Sequence, residues 1–158
     1  MKFMEEFMKK YKSFGCGKVM VSSCVLFFMN TVYAASPNCQ NLKGQWVNDL
    51  GSTLIISSVK GNGQLSGQFI SSAQAGDESF VVMGWVNDTS PPEGLDHLTA
   101  ITFAVNWDNY GSLSSWAGGC AIKDGVPTIS MIWNLVLANA QFEWDHILSN
   151  SDIFRPKE

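Results

Sequence analysis

The run Ser112-Leu113-Ser114-Ser115-Trp116 concentrates side chains able to do chemistry. At the two-residue period of a β-strand, Ser112, Ser114 and Trp116 point the same way, so two hydroxyls and an indole share one face. Such a face suits a small ligand with polar and apolar parts. Trp107, Trp133 and Trp144, like Trp116, stand at strand ends or alternate with small polar residues, the pattern of an aromatic box.

Other chemistry is poorly supported. The two histidines, His97 and His146, lie beside no cysteine, acid or second histidine at metal-ligand spacing, so no metal site is expected and both read as surface or loop residues. Gly61-Asn62-Gly63-Gln64-Leu65-Ser66-Gly67 is glycine-rich, but its spacing is wrong for a phosphate loop and no helix follows. No serine sits in a G-x-S-x-G elbow, and no carboxylate pair flanks an evident cleft. An enzyme is therefore disfavoured, although a Ser/His/Asp set assembled only by folding stays open at this point.

The elements that must position these residues are strands. From Gly44 onward, short alternating segments separated by turn signals indicate an all-β chain, with strands near 44–49, 53–59, 64–72, 79–87, 98–106, 112–121, 126–136 and 141–149. Lys60-Gly61-Asn62-Gly63 and Lys123-Asp124-Gly125 supply residues that tight hairpins demand. Ser90-Pro91-Pro92-Glu93-Gly94 predicts a longer loop, because proline cannot donate to a ladder. Eight hairpin-linked strands close most naturally into an antiparallel up-and-down barrel, which can hold one small ligand at its mouth. A two-sheet sandwich is the competing architecture.

The 158 residues, 46% hydrophobic and 15% charged, suffice for one domain with a real core. Residues 1–35 differ from the rest: Lys9, Lys10, Lys12 and Lys18 precede an apolar run from Val19 to Met29 and then Val32-Tyr33-Ala34. This pattern predicts a secretory signal peptide cut after Ala34 or Ala35, hence an extracellular protein with a domain over 36–158. The apolar run is too short for a membrane anchor, which needs roughly 20 residues. Removing the segment leaves five of the 10 Lys and Arg against twelve of the 14 Asp and Glu, a net charge of −7. An acidic balance without a basic stripe argues against nucleic acid and anionic membranes as partners. Cys39 and Cys120 remain, and in an oxidising compartment they most simply form one disulfide, the alternative being two buried thiols. Asn87-Asp88-Thr89 is an N-glycosylation sequon.

The stretch Gly44-Gln45-Trp46-Val47-Asn48-Asp49-Leu50-Gly51-Ser52-Thr53 resembles the opening of the avidin and streptavidin family of biotin-binding proteins, with its G-x-W-x-N-x-L-G-S pattern. The resemblance continues in order through Gly63 to Ser71, Phe103-Ala104-Val105-Asn106-Trp107, Ser112 to Trp116, Trp133 with Leu135, Trp144, and Asp152-Ile153-Phe154. It covers nearly all of residues 39–155.

This resemblance implies an eight-stranded barrel, usually a homotetramer, that binds biotin at its open end and uses no cofactor. Asn48 and Ser52 fall on the family's donors to the ureido oxygen, and Ser71 and Asp152 on the acceptors for the two ureido N–H groups. Ser114 matches the side chain facing the ligand sulfur and Ser112 the one facing the valeryl carboxylate. Trp107, Trp116 and Trp133 match the aromatic walls, with Leu135 beside them, and Trp144 the tryptophan lent to a neighbouring subunit. Cys39 and Cys120 match the intrasubunit disulfide of the avidin branch, whereas Trp116 and Asp152 look more like the streptavidin side. Phe69 stands where the family has a tyrosine that donates to the ureido oxygen, which implies one bond fewer. Tyr110 and Asn109 depart from the family's carboxylate loop, and Ser72-Ala73-Gln74-Ala75-Gly76 is expected to offer that carboxylate backbone N–H groups.

Taken singly, these residues are unremarkable: a tryptophan is more often core than ligand wall, and Trp46 is read so here. Asn48 alone reads as a turn residue and Asp152 as a solvated loop acid. Only their joint appearance at family spacing lifts them above that. The rival expectations are a barrel carrying another small ligand, as Phe69 and Tyr110 would favour, and a secreted hydrolase using His97 or His146.

Overall fold

The computed structural model describes residues 36–72 and 78–157. The expected signal segment and most of the expected carboxylate loop, 73–76, lie outside the described residues. Eight strands follow in order: β1 (Gly44–Asn48), β2 (Thr53–Val59), β3 (Gln64–Ile70), β4 (Ser79–Asn87), β5 (Thr99–Asn106), β6 (Ser112–Lys123), β7 (Val126–Leu137) and β8 (Ile147–Pro156). Each pairs antiparallel with its chain neighbour and β8 pairs back onto β1, giving a closed barrel and excluding the sandwich.

Period-two alternation builds this sheet. In β5, Thr99, Ile101, Phe103 and Val105 face inward, while Ala100, Thr102, Ala104 and Asn106 face out. Trp46, Leu54, Ile56, Leu65, Val82 and Phe154 meet at the centre of the barrel, each essentially inaccessible to solvent. Trp46 is core, as expected, and its indole N–H donates to the Leu42 carbonyl at 2.9 Å, which satisfies its one polar atom.

The turns obey the local chemistry of their residues. Asp124 and Gly125 both take positive φ between β6 and β7, the conformation a two-residue hairpin needs. The proline-rich stretch lies in the long β4–β5 connection, outside any strand. Gly84 serves packing: an added Cβ would strike the Thr102 carbonyl and press on Phe103 across the β4–β5 pair. Its missing side chain lets Phe103 lie against the sheet.

The last strand corrects the expectation. Residues 141–149 alternate in polarity, yet Glu143–Asp145 forms a 3-10 turn and β8 starts only at Ile147. Continuing to Pro156 pairs β8 with β1 and buries Phe154 completely, whereas a strand over 141–149 would leave the barrel unclosed. Asp152 therefore belongs to a strand, not a loop.

Cys39 and Cys120 are disulfide-bonded, with Cα atoms 5.3 Å apart across a sequence separation of 81. The bridge ties the segment before β1 to β6, and on chain-entropy grounds a loop of this length gives up to roughly 4 to 5 kcal/mol. Nearby, the single Thr99 Oγ1 proton lies between two acceptors, the Cys39 carbonyl at 3.0 Å and Asp88 Oδ1 at 2.8 Å.

Candidate ligand-binding site

The β1–β2, β3–β4, β5–β6 and β7–β8 connections gather at one end of the barrel, where a cavity of about 280 Å³ opens. Its one charged lining residue among the described residues is Asp152, 8% exposed on β8. One carboxylate oxygen accepts from Asn48 Nδ2 at 3.0 Å and the other from Trp116 Nε1 at 2.9 Å.

The β1–β2 turn fixes the Asn48 amide. Gly51, at φ +87°, lets the chain reverse so that the backbone N–H groups of Leu50 and Ser52 both donate to Asn48 Oδ1, at 3.1 and 2.8 Å. With its oxygen held there, the amide must present its NH₂ to Asp152. One of the two N–H bonds is used on Asp152, and the other is a donor beside the cavity that Asn48 lines. Ser52 and Ser72 extend the polar floor: Ser52 Oγ accepts from the Ser72 backbone N–H at 3.0 Å and lies 3.0 Å from Ser72 Oγ. Ser71 joins them in the lining, 8% exposed.

The walls are aromatic. The predicted shared face of β6 is real, with Ser112, Ser114 and Trp116 all lining the cavity. Their register partners on β7, Leu135 beside Ser114 and Trp133 beside Trp116, line it too. Trp107 donates its indole N–H to Ser114 Oγ at 2.7 Å, so the wall is pinned by a hydroxyl rather than left to packing. Phe69 stands edge-on to Trp107, with centroids 5.7 Å apart, and 5.2 Å from the Trp116 ring. Behind this layer Phe103 stacks on Trp116 at 4.8 Å and Phe80 meets Trp107 at 4.8 Å. Rigid rings backed by rings make a preformed box with little rotamer entropy left to lose.

Polar donors and acceptors at the floor beneath rigid apolar walls suit a small ligand with a polar head and an apolar body. The Avidin family model matches residues 36–157. The chain belongs to the avidin family. Among avidin relatives, Avidin-related protein 2 of Gallus gallus is 30% identical over 123 residues, 73% of this chain and 77% of that one. Apo shwanavidin is 32% identical with a TM-score of 0.59, covering 73% of this chain and 100% of the other. A Phe-to-Ala shwanavidin variant solved as a biotin complex is 31% identical, with a TM-score of 0.58 over 73% of this chain and 97% of that one.

Against this avidin framework, all the expected ligand residues except Trp144 come together around the cavity. Trp144 sits in the turn after β7, 70% exposed and stacked on Phe142 with centroids 4.9 Å apart. Reading the sequence missed Leu50 as a lining residue, gave Ser72 only as the start of the carboxylate loop and gave Tyr110 only as a departure. Leu50 follows Asn48 by two positions, and that spacing in a ligand-facing turn was the available signal. Tyr110 Oη donates to Glu78 Oε2 at 2.8 Å across the mouth, and this bond raises the phenol pKa above its ordinary value. His97 instead pairs with Asp88 at 2.9 Å and His146 Nδ1 with the Leu137 carbonyl at 2.7 Å, and neither lines the cavity.

Proposed function

We propose that this protein binds biotin in the barrel cavity, without catalysis, as a secreted sequestering protein released from residues 1–35. The observation that carries the reading is Asp152 held between Asn48 and Trp116 at the cavity floor. A cyclic urea offers one acceptor oxygen and two N–H donors. Asn48 Nδ2 and the Ser52 hydroxyl are the donors for that oxygen, and Ser71 and Asp152 are the acceptors for the N–H groups. A carboxylate accepting from the urea while the amide donates to its oxygen polarises the ligand cooperatively. Trp107, Trp116, Trp133, Leu135 and Phe69 then enclose the apolar rings, with Ser114 toward the sulfur and Ser112 toward the tail.

The quaternary part of the proposal is a homotetramer in which Trp144 closes a neighbouring chain's cavity. Exposed Val81, Met83, Leu113 and Val136 cluster on the outer face of β4, β6 and β7, an apolar patch that assembly would cover. The sequon belongs to the same secreted protein: Asn87 is exposed at the barrel end away from the cavity, where the Thr89 hydroxyl donates to Asn87 Oδ1 at 2.6 Å. A glycan there leaves the mouth free.

Titration of the mature protein with biotin, followed by tryptophan fluorescence, tests the reading. Saturable quenching or enhancement at stoichiometric ligand is expected, because the ligand enters among indoles. No spectral change together with no retention on immobilised biotin at micromolar protein would sink it.

A further inference from the structure

Two hydroxyls meet at the cavity floor. The β2–β3 ladder pairs Thr53 with Ile70, so Ser52 and Ser72 lie just past its last register pair, one from each strand end, and both line the cavity. Their surroundings are unequal. Ser52 is 6% exposed, and its backbone is fixed by Asn48, whose Oδ1 takes the Ser52 N–H at 2.8 Å and whose own N–H reaches the Ser52 carbonyl at 3.0 Å. Ser52 Oγ accepts the Ser72 backbone N–H at 3.0 Å, which uses one of its two lone pairs. Ser72 Oγ stands 3.0 Å from the same oxygen on an exposed residue, and either hydroxyl can donate in that contact.

Resting on the biotin reading above, we infer that Ser72 is a positioning residue that acts through Ser52: it commits the Ser52 hydroxyl to donate into the cavity and so selects an acceptor oxygen on the ligand at that point. The count of valences sets the direction. When the Ser72 hydroxyl donates, Ser52 Oγ receives two bonds, from the Ser72 N–H and the Ser72 O–H, and both its lone pairs are filled. Its one proton is then left for the cavity. The reverse order would spend that proton on Ser72 and set lone pair against lone pair at the ligand oxygen, in a buried place where an unmade bond costs most. Ser72 gives up its proton at no such cost, because it is exposed. In the favoured order the bonds run head to tail, from Ser72 to Ser52 to the ligand oxygen, and each polarises the next. Phe69 lines the same cavity with no polar atom, so the strength of the Ser52 donor matters more.

A double-mutant cycle on the mature protein, read by competition calorimetry with biotin, tests this. Ser72→Ala is expected to weaken biotin about 2- to 10-fold, the loss of one hydrogen bond passed on through Ser52. In a Ser52→Ala background the same change should move affinity by less than about 1.5-fold, since no hydroxyl remains to be steered. Ser72→Thr keeps the hydroxyl and should bind within about twofold of wild type. Iminobiotin, whose protonated imine nitrogen replaces the ureido oxygen at neutral pH, reads the selectivity. Its affinity relative to biotin should rise about threefold in Ser72→Ala, because Ser52 Oγ regains a lone pair able to accept. An effect of Ser72→Ala that is the same with and without the Ser52 hydroxyl, or absent from both, would overturn the inference while leaving biotin binding intact. Failure of the wild type to bind biotin would overturn the reading of the cavity itself.

Discussion

Trp116 and Asp152 meet inside the barrel, the indole N–H of one donating to the carboxylate of the other at 2.9 Å across 36 residues of sequence. The bond couples wall to floor: the ring that packs against Phe69 and Phe103 also sets the direction of the carboxylate. Asn48 grips the second oxygen, so the acid has little freedom to turn.

Asp152→Ala is expected to weaken biotin about 10- to 100-fold, because it removes a charge-assisted acceptor and strands two buried donors on the protein. Asp152→Asn should cost less, since its one carbonyl oxygen can still serve Trp116 or Asn48 but not both. Competition calorimetry ranks the three proteins. Equal affinity for wild type and Asp152→Ala would remove this acid from the ligand's contacts.

Phe69 lies at the cavity wall, 3% exposed, with no polar atom to offer. Phe69→Tyr adds one donor at the cavity wall, within the proposed reach of the ureido oxygen. One net hydrogen bond is worth roughly 0.5 to 1.5 kcal/mol, which corresponds to about 2- to 10-fold tighter binding. A dissociation rate that does not slow in the variant would show that the new hydroxyl finds no acceptor in the bound state.

Gly84 positions the site from outside it. Gly84→Ala puts a methyl against the Thr102 carbonyl and Phe103, and Phe103 is the ring stacked behind Trp116. Overpacking of this kind costs about 1 to 3 kcal/mol, so the urea midpoint should fall with an unchanged slope. The tryptophan emission of the ligand-free protein should shift as well. A variant as stable as wild type, with the same spectrum, would mean the strands part without disturbing the wall.

Much of this arrangement was legible along the chain because β-structure writes itself with a period of two: Ser112, Ser114 and Trp116 share a face for that reason alone. The turns at Lys60 to Gly63 and at Asp124-Gly125 were legible from residues that tolerate positive φ. Asp152 was not legible as a buried acid from its neighbours, since only barrel closure brings it to Asn48, 104 residues earlier. The β8 boundary failed for a related reason. Phe142 and Trp144 alternate like strand residues, but they stack on each other in a turn, and the choice was decided by the distant β1–β8 pairing.

The far end of the barrel carries a pH-dependent tie. Hydrogen bonds from Thr99 and then His97 hold the Asp88 carboxyl below its ordinary value of 3.8. A carboxyl whose folded pKa is depressed contributes stability above its unfolded value and loses it as pH falls through the folded one. Wild type should therefore lose stability faster than Asp88→Asn as pH drops below about 4. The two melting curves should converge in strong acid. Parallel curves over that range would deny the tie any role in folding, and the exposure of Asp88 keeps the effect small.

Trp144 tests the assembly. A tryptophan 70% exposed beside Phe142 presents a large apolar surface to water, and in a tetramer that surface would close a neighbour's cavity. Trp144→Ala touches nothing in its own chain's cavity, so the circular dichroism spectrum and the fold should be unchanged. Biotin should nevertheless dissociate about 30-fold faster, the loss expected for a buried aromatic anchor worth about 2 kcal/mol. Sedimentation should report tetramers for the wild type, because the lent ring can act only between chains. Monomers that hold biotin as tightly as the wild type does, with or without Trp144, would refute a shared site.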